Sequence, residues 1–475
     1  MDLKRRLDVL RRQAGTASPV AAETADAPGP LAAPDGLRAR LDRLGGRSSM
    51  PRRRFADGMR ESTAALAERL GGVVVSEHLI LVETVLPLAA RHGRWRLADA
   101  LEPLWPLAAS LPASPRLEGD GLLPTVPLAG EGAERAGASA LVRAPPPPQP
   151  LPRAGGGALA SPDPRGAVDG AAGGSVIGID TETTGLAGGT GTAAFMAGVA
   201  EAGPGGVRLR QWLLTAFSGE AAMLDALDVS LAGAGLMVSY NGATFDLPLL
   251  RDRRRLQRGR ALAEPRHLDL LHPTRRLFRS AWPDCRLATA EHRLLGLVRE
   301  DDLPGSEAPG AWRDYLAGGP ADDLERVLRH NALDVLSLLV LGPVLARAMY
   351  DPLAFSADPL AAAEVWSRSG ERRRALAVLE RAQDRLDIRG GLELARGLRR
   401  AGRWPEAVAV WERLAQTGCA EAVECLAKYH EHVRRDWETA LDYTARLGEG
   451  PEARRRRGRL ERRRGVGQGR LDLTE

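Results

Sequence analysis

The apolar positions from Ser175 to about Ala348 first gather in short runs and then spread to helical spacing. Val176-Ile177-Gly178-Ile179 is a run of strand type that ends abruptly at Asp180. Phe195-Met196-Ala197-Gly198-Val199 and Val207-Arg208-Leu209-Arg210-Gln211-Trp212-Leu213 read as two further strands, the second visibly alternating. Helical spacing follows over 221–231, and Leu236-Met237-Val238-Ser239-Tyr240 forms a fourth strand that stops at Asn241-Gly242. Further helices are expected around 245–256, 288–297 and 321–348. Three strands, a helix, a strand and more helices predict an α/β layer, a mixed sheet flanked by helices.

On either side of this block the pattern changes. Residues 1–16 set Leu3, Leu7 and Leu10 at helical spacing among arginines, and 17–60 are rich in Ala, Pro, Gly and Arg and read as disordered. A more structured patch spans 71–107, where Val73-Val74-Val75 and Leu79-Ile80-Leu81-Val82 suggest short strands. Pro145-Pro146-Pro147-Pro148, Gly155-Gly156-Gly157 and Gly173-Gly174 then mark a linker. The first 165 residues thus read as a low-complexity region and linker, and 175–348 is expected to fold without the 160 before it. Over about 358–447 the chain repeats itself. Ala375-Leu376-Ala377-Val378-Leu379-Glu380-Arg381 returns as Ala407-Val408-Ala409-Val410-Trp411-Glu412-Arg413, and more loosely as Ala440-Leu441-Asp442-Tyr443. A period near 34 residues with paired helices is the tetratricopeptide signature. Residues 448–475 carry Arg454-Arg455-Arg456-Arg457 and Arg462-Arg463-Arg464, which read as a solvated basic tail.

Composition narrows the class. With 475 residues, 44% hydrophobic and 27% charged, the chain can bury a sizeable core, and at roughly 100–200 residues per domain it allows two or three domains. The net charge of +5 permits a polyanionic partner without demonstrating one. Lysine occurs only at Lys4 and Lys428, so the excess is arginine and looks like codon bias. Cys285, Cys419 and Cys425 are too few and scattered for a disulfide framework or a CxxC site, and read as reduced thiols. No window approaches 18 uncharged apolar residues, and the N-terminus has no apolar h-region. The expectation is a cytoplasmic protein with no membrane partner.

Three stretches carry candidate chemistry. Asp180-Thr181-Glu182 sets two carboxylates at i and i+2 at a strand end, so both project from one face. They repel unless a cation sits between them, and oxygen ligands favour Mg²⁺ or Mn²⁺ over zinc; a surface acidic pair is the plainer alternative. In Ser239-Tyr240-Asn241-Gly242-Ala243-Thr244-Phe245-Asp246 a strand runs into a loop, and Asp246 opens a helix, where an aspartate also serves as a cap. In Arg329-His330-Asn331-Ala332-Leu333-Asp334 the histidine and aspartate share one helical face four residues apart. A base beside a carboxylate suits a metal ligand next to a group that handles the proton of water.

Together D-x-E, Y-N-x-x-x-F-D and H-N-x-x-D resemble the DEDD exonucleases of the ribonuclease H-like superfamily, and within it the YprB-like family. Gly188-Gly189-Thr190-Gly191-Thr192, His267-Leu268-Asp269-Leu270-Leu271-His272-Pro273 and Asp302-Leu303-Pro304-Gly305 add to the resemblance, which covers about 175–348. It implies a ribonuclease H-like fold and a two-metal Mg²⁺ or Mn²⁺ site held by Asp180, Glu182, Asp246 and Asp334. It also implies phosphodiester hydrolysis, as a 3′–5′ exonuclease on DNA or RNA, with Thr183, Gly185, Asn241 and Phe245 at the substrate. There is one departure: the histidine subclass places its base five residues before the last aspartate and the tyrosine subclass places tyrosine four before, whereas His330 stands at four. The role of His330 in orienting water is therefore an open expectation. Asn241 also reads as a turn former; the i, i+2 spacing of His267 and Asp269 could put both near the cleft, and a structural polar contact is the equal alternative. The glycine-rich stretch 185–192 lacks the G-K-[ST] ending of a P-loop, and its backbone is expected to approach nucleic acid. The alternative is a nucleic-acid-binding or scaffolding protein with a catalytically weak nuclease fold and a repeat-based surface for a protein partner. The intact acidic quartet favours the enzyme.

Overall fold

The computed structural model describes residues 60–102, 104, 174–185 and 191–471, with 465–471 as backbone alone. The helix expected over 1–16, all but the last residue of the disorder expected over 17–60, the Pro/Gly linker up to Gly173 and residues 186–190 of the glycine-rich stretch lie outside these residues. All described residues fall in one compact unit, 55–475.

Nine strands are present in the described residues: β1 (Val73–Ser76), β2 (Leu79–Leu86), β3 (Arg91–His92), β4 (Trp95–Arg96), β5 (Ser175–Thr183), β6 (Ala194–Gly203), β7 (Gly206–Leu214), β8 (Ala234–Ser239) and β9 (Arg266–Asp269). Seven of them make one mixed sheet in the order β1-β2-β7-β6-β5-β8-β9. β5, β6 and β7 run as an antiparallel meander, and β8 and β9 join β5 in parallel. Helices cover both faces, so β8 is buried at every position and carries no polar side chain before its last residue, Ser239. Along β5 the pleat sends Val176 into one core cluster, with Val238, Val335 and Leu339, and Ile177 and Ile179 into another, with Leu227 and Trp312. β9 escapes a reading by periodicity because it is four residues long and carries Arg266 and His267.

The N-terminal patch differs from its expected place. β2 pairs antiparallel with β7 along eight residues, from Leu79 opposite Leu214 to Leu86 opposite Val207. The sheet therefore spans the boundary expected at the linker, with Leu97 and Leu101 buried in one of its core clusters and Leu66, Leu79 and Ile80 in the other. A Pro/Gly stretch signals a break in chain direction and stiffness; it says nothing about whether the two sides pair across it.

The helix Asp322–Tyr350 packs on the sheet through its apolar length. By length and composition it is long and apolar enough to cross a membrane, yet 72% of that apolar stretch is buried inside the protein. Two glycines let it approach the strands closely. A Cβ at Gly178 of β5 would sit 2.7 Å from the Val335 carbonyl oxygen, and one at Gly198 of β6 would overlap the Asn331 amide.

Beyond this helix the chain is helical: Pro359–Arg368, Arg372–Arg381, Ile388–Arg400, Trp404–Gln416, Ala420–Tyr429, Trp437–Arg446 and Pro451–Leu471. Asp358, Asp387 and Asp436 cap three of these helices through backbone N–H groups. Gly370, Gly402 and Gly418 turn the chain between helices at positive φ, which glycine adopts without strain. Trp366, Leu398 and Trp411 are buried in one core with the sheet-covering helix, as stacking of consecutive helices requires. The arginine-rich end departs from a loose solvated tail: it is helical, and Arg456 and Arg459 pair with Glu431, which is fully buried.

Candidate active site

The last residues of β5 carry the acidic pair. Asp180 and Glu182 leave the same face of β5 as Gly178, the face on which the helix Asp322–Tyr350 lies. The close approach allowed by Gly178 brings His330 and Asp334 of that helix over the strand end. Asp246, first residue of the helix Asp246–Leu256, follows a tight loop after β8. Asn241 in that loop adopts φ 68°, and its N–H donates to Asp269 Oδ1 at 2.7 Å. The N–H groups of Ala243 and Leu271 also donate to Asp269, so this buried carboxylate at the end of β9 braces the loop that delivers Asp246.

Ligand atoms of Glu182, His330 and Asp334 all lie within 4.8 Å of one another. His330 Nε2 is 3.3 Å from Asp334 Oδ2, and its Nδ1 is 2.8 Å from Asp302 Oδ1. Asp246 Oδ1 accepts a hydrogen bond from Thr181 Oγ1. Asp180 Oδ2 accepts from Asn331 Nδ2 at 3.0 Å, and Asn331 Oδ1 accepts from Gln211 Nε2 at 3.0 Å. Gln211 also donates to the Leu328 carbonyl at 2.7 Å, so a chain of buried amides from β7 fixes the orientation of Asp180.

The charges in this cluster disfavour one another. Burial, then the carboxylates of Asp334, Asp246 and Glu182, holds Asp180 well above the usual carboxylate range. Burial also pushes Glu182 up to about 7; His330 opposes that rise, and Asp334, Asp246 and Asp302 add to it. Asp246 is raised by burial against the hydrogen bond from Thr181. A buried group of like charges with oxygen donors and one imidazole is the donor set that a hard divalent cation relieves, and these residues fit one.

The other expected residues are placed as follows. Thr183 Oγ1 donates to the Gly185 carbonyl at 3.1 Å, a Cβ at Gly185 would meet only open space, and Phe245 is 54% exposed beside Asp246. The Asn241 side chain accepts from Thr244 Oγ1 at 2.8 Å, a turn-forming contact. His267 Nε2 lies 2.8 Å from Ser239 Oγ, and burial lowers its pKa. Asn331, Gln211, Arg299, Glu291 and the two glycines escaped the sequence reading. Asn331 stands within H-N-x-x-D, and Gly178 interrupts an apolar strand, which marks a close backbone approach. Arg299 had no such signal among 66 basic residues.

Fold and comparison agree on the class. Residues 177–345 match the family model described as the RNase_H superfamily and form a ribonuclease H-like domain. The chain is similar to the uncharacterized protein YprB of Bacillus subtilis (strain 168), with 34% identity over 277 residues. That match covers 55% of this chain and 66% of YprB, just under two thirds of its length. A family B DNA polymerase from the archaeon Pyrobaculum calidifontis aligns with 48% of this chain and 29% of its own, at 15% identity and a TM-score of 0.31.

Proposed function

We propose that this protein is a divalent-metal-dependent nuclease that hydrolyses phosphodiester bonds, acting from 3′ ends. The observation that supports it is the convergence of Asp180, Glu182, Asp246 and Asp334 from three separate elements into one buried cluster, in which the Asp180, Glu182 and Asp246 carboxyls are raised. In this reading those four residues hold Mg²⁺ or Mn²⁺. A bound pair of such cations supplies water activation on one side and stabilisation of the leaving oxygen on the other. His330, held by Asp302 at Nδ1, presents Nε2 to the cluster and takes the proton of the attacking water there. Thr183, Gly185, Asn241 and Phe245 border the cluster as contacts for the nucleic acid. The stacked helices after residue 358 act as tetratricopeptide-like repeats that dock a protein partner, and the protein works in the cytoplasm.

One observation favours a weaker catalyst, a nucleic-acid-binding scaffold: Arg299 takes one oxygen of Asp334 as its ion-pair partner. End-labelled single- and double-stranded DNA and RNA, incubated with Mg²⁺, with Mn²⁺ and with EDTA, separate the two readings. Metal-dependent shortening from the 3′ end that Asp180→Asn abolishes supports the nuclease. Cleavage retained by Asp180→Asn, or none with any substrate, refutes it.

A further inference from the structure

A guanidinium stands against the carboxylate cluster, and it is fixed from behind. Arg299 Nε and Nη2 form a two-point pair with Glu291 at 2.9 and 2.6 Å, and Nη2 also donates to Asp334 Oδ1. Its Nη1 lies 3.3 Å from Asp302 Oδ2 and 3.1 Å from His330 Nδ1. Glu291 is buried and lies on a single π-helical turn, Glu291–Leu295. Ser337 Oγ donates to Glu291 Oε1 at 2.5 Å, and His92 Nε2 lies 2.6 Å from the same hydroxyl.

The β3–β4 hairpin clamps that turn. Arg94 N–H donates to the Leu295 carbonyl at 2.7 Å, and Arg94 Nε and Trp95 Nε1 donate to the Leu294 carbonyl at 3.1 and 3.0 Å. Gly93, at φ 58°, lies where a Cβ would overlap the Leu295 carbonyl oxygen. Such single π-turns recur at functional sites. Here the aimed group is Glu291, and through it Arg299.

We infer that Arg299 is a positioning residue: it holds Asp334 and, by pairing with Asp302, sets the His330 ring through that carboxylate, while its charge tempers the cluster's affinity for a divalent cation. The inference rests on the metal reading above. Its two effects have opposite signs. Removing the guanidinium takes a positive charge from contact with a ligand carboxylate, which strengthens cation binding. The same change frees the Asp334 side chain and one side of the His330 ring, which slows turnover. Damage of a merely structural kind weakens both.

The test pairs Mn²⁺ titration calorimetry with single-turnover cleavage on the full chain. Arg299→Gln combined with Glu291→Gln removes both buried charges at once, so neither is stranded. This variant is expected to bind Mn²⁺ several-fold more tightly, because the lost guanidinium touches Asp334 while the lost Glu291 carboxylate lies behind it and offsets only part of the change, and to cleave at least tenfold more slowly with KM little changed. Arg299→Lys keeps the charge and loses the fork, so it should keep Mn²⁺ affinity within about threefold while losing rate. Asp302→Asn, which leaves the Arg299–Glu291 pair intact, should lower kcat without tightening Mn²⁺ binding. Weaker Mn²⁺ binding in the double variant, or unchanged turnover, overturns the inference while leaving the metal site standing. Wild type that binds no Mn²⁺ overturns both.

Discussion

Glu182→Gln offers a direct measure of the strain built into the cluster. Burial and neighbouring charge move the Glu182 carboxyl from 4.5 to about 7. At about 1.4 kcal/mol for each pH unit, the ionised side chain costs the fold about 3 kcal/mol. The sign follows from proton binding. Between pH 4.5 and 7 the folded state keeps its proton while the unfolded chain has lost it, so stability falls as pH rises and the whole cost is present above 7. Glutamine keeps the size and cannot ionise. In EDTA the variant should melt with the wild type at pH 4 and above it at pH 8. At about 2.1 cal/mol/K of unfolding entropy per residue, the roughly 340 described residues of this one unit shift by about 1.4 °C per kcal/mol, so the gain is roughly 4 °C. Adding Mn²⁺ at pH 8 should raise the wild-type melting temperature, because the cation binds only the native state, and should raise the variant's far less. Denaturation followed by circular dichroism across pH reads both. A variant no more stable than wild type at pH 8, or one whose advantage is the same at pH 4, refutes the reasoning that Glu182 is a buried carboxylate held among like charges.

Three further outcomes are expected. Gly198→Ala drives a methyl into the Asn331 amide and breaks its links to Gln211 and Asp180; it should cost about 1–3 kcal/mol in urea melts, and a neutral result would show that the helix does not need its close approach to β6. A chain beginning near residue 165 loses β2 from the sheet and should be insoluble or unfolded by circular dichroism, whereas a folded fragment would show that β7 tolerates an open edge. Glu431→Gln removes the buried anchor of Arg456 and Arg459, so amide hydrogens of Pro451–Leu471 should exchange faster while those of the sheet do not change; uniform protection would mean apolar packing alone holds that helix.

The sequence by itself determined the elements whose pattern is local. Strand runs at β5 to β8 and the long helix at 322–350 are visible because burial forces a period of two or of 3.6 on the residues that form them. The acidic residues were legible for a related reason: Asp180 and Glu182 share a strand face by spacing alone, and His330 and Asp334 share a helical one. Only the tertiary structure decided how these pieces meet. That β2 pairs with β7 across a Pro/Gly linker depends on backbone hydrogen bonds, which every residue but proline can make and which leave no mark in side-chain pattern. Arg299 is one basic residue among many until the π-turn, Glu291 and the β3–β4 hairpin aim it at Asp334. Gly198 and Asn331 are 133 positions apart in the numbering, and the missing methyl of one acquires meaning only when the helix lays the other against it. Spacing along the chain encodes which side chains share a face; which faces touch is fixed by packing and by desolvation of charges, both of which act at distances the sequence does not record.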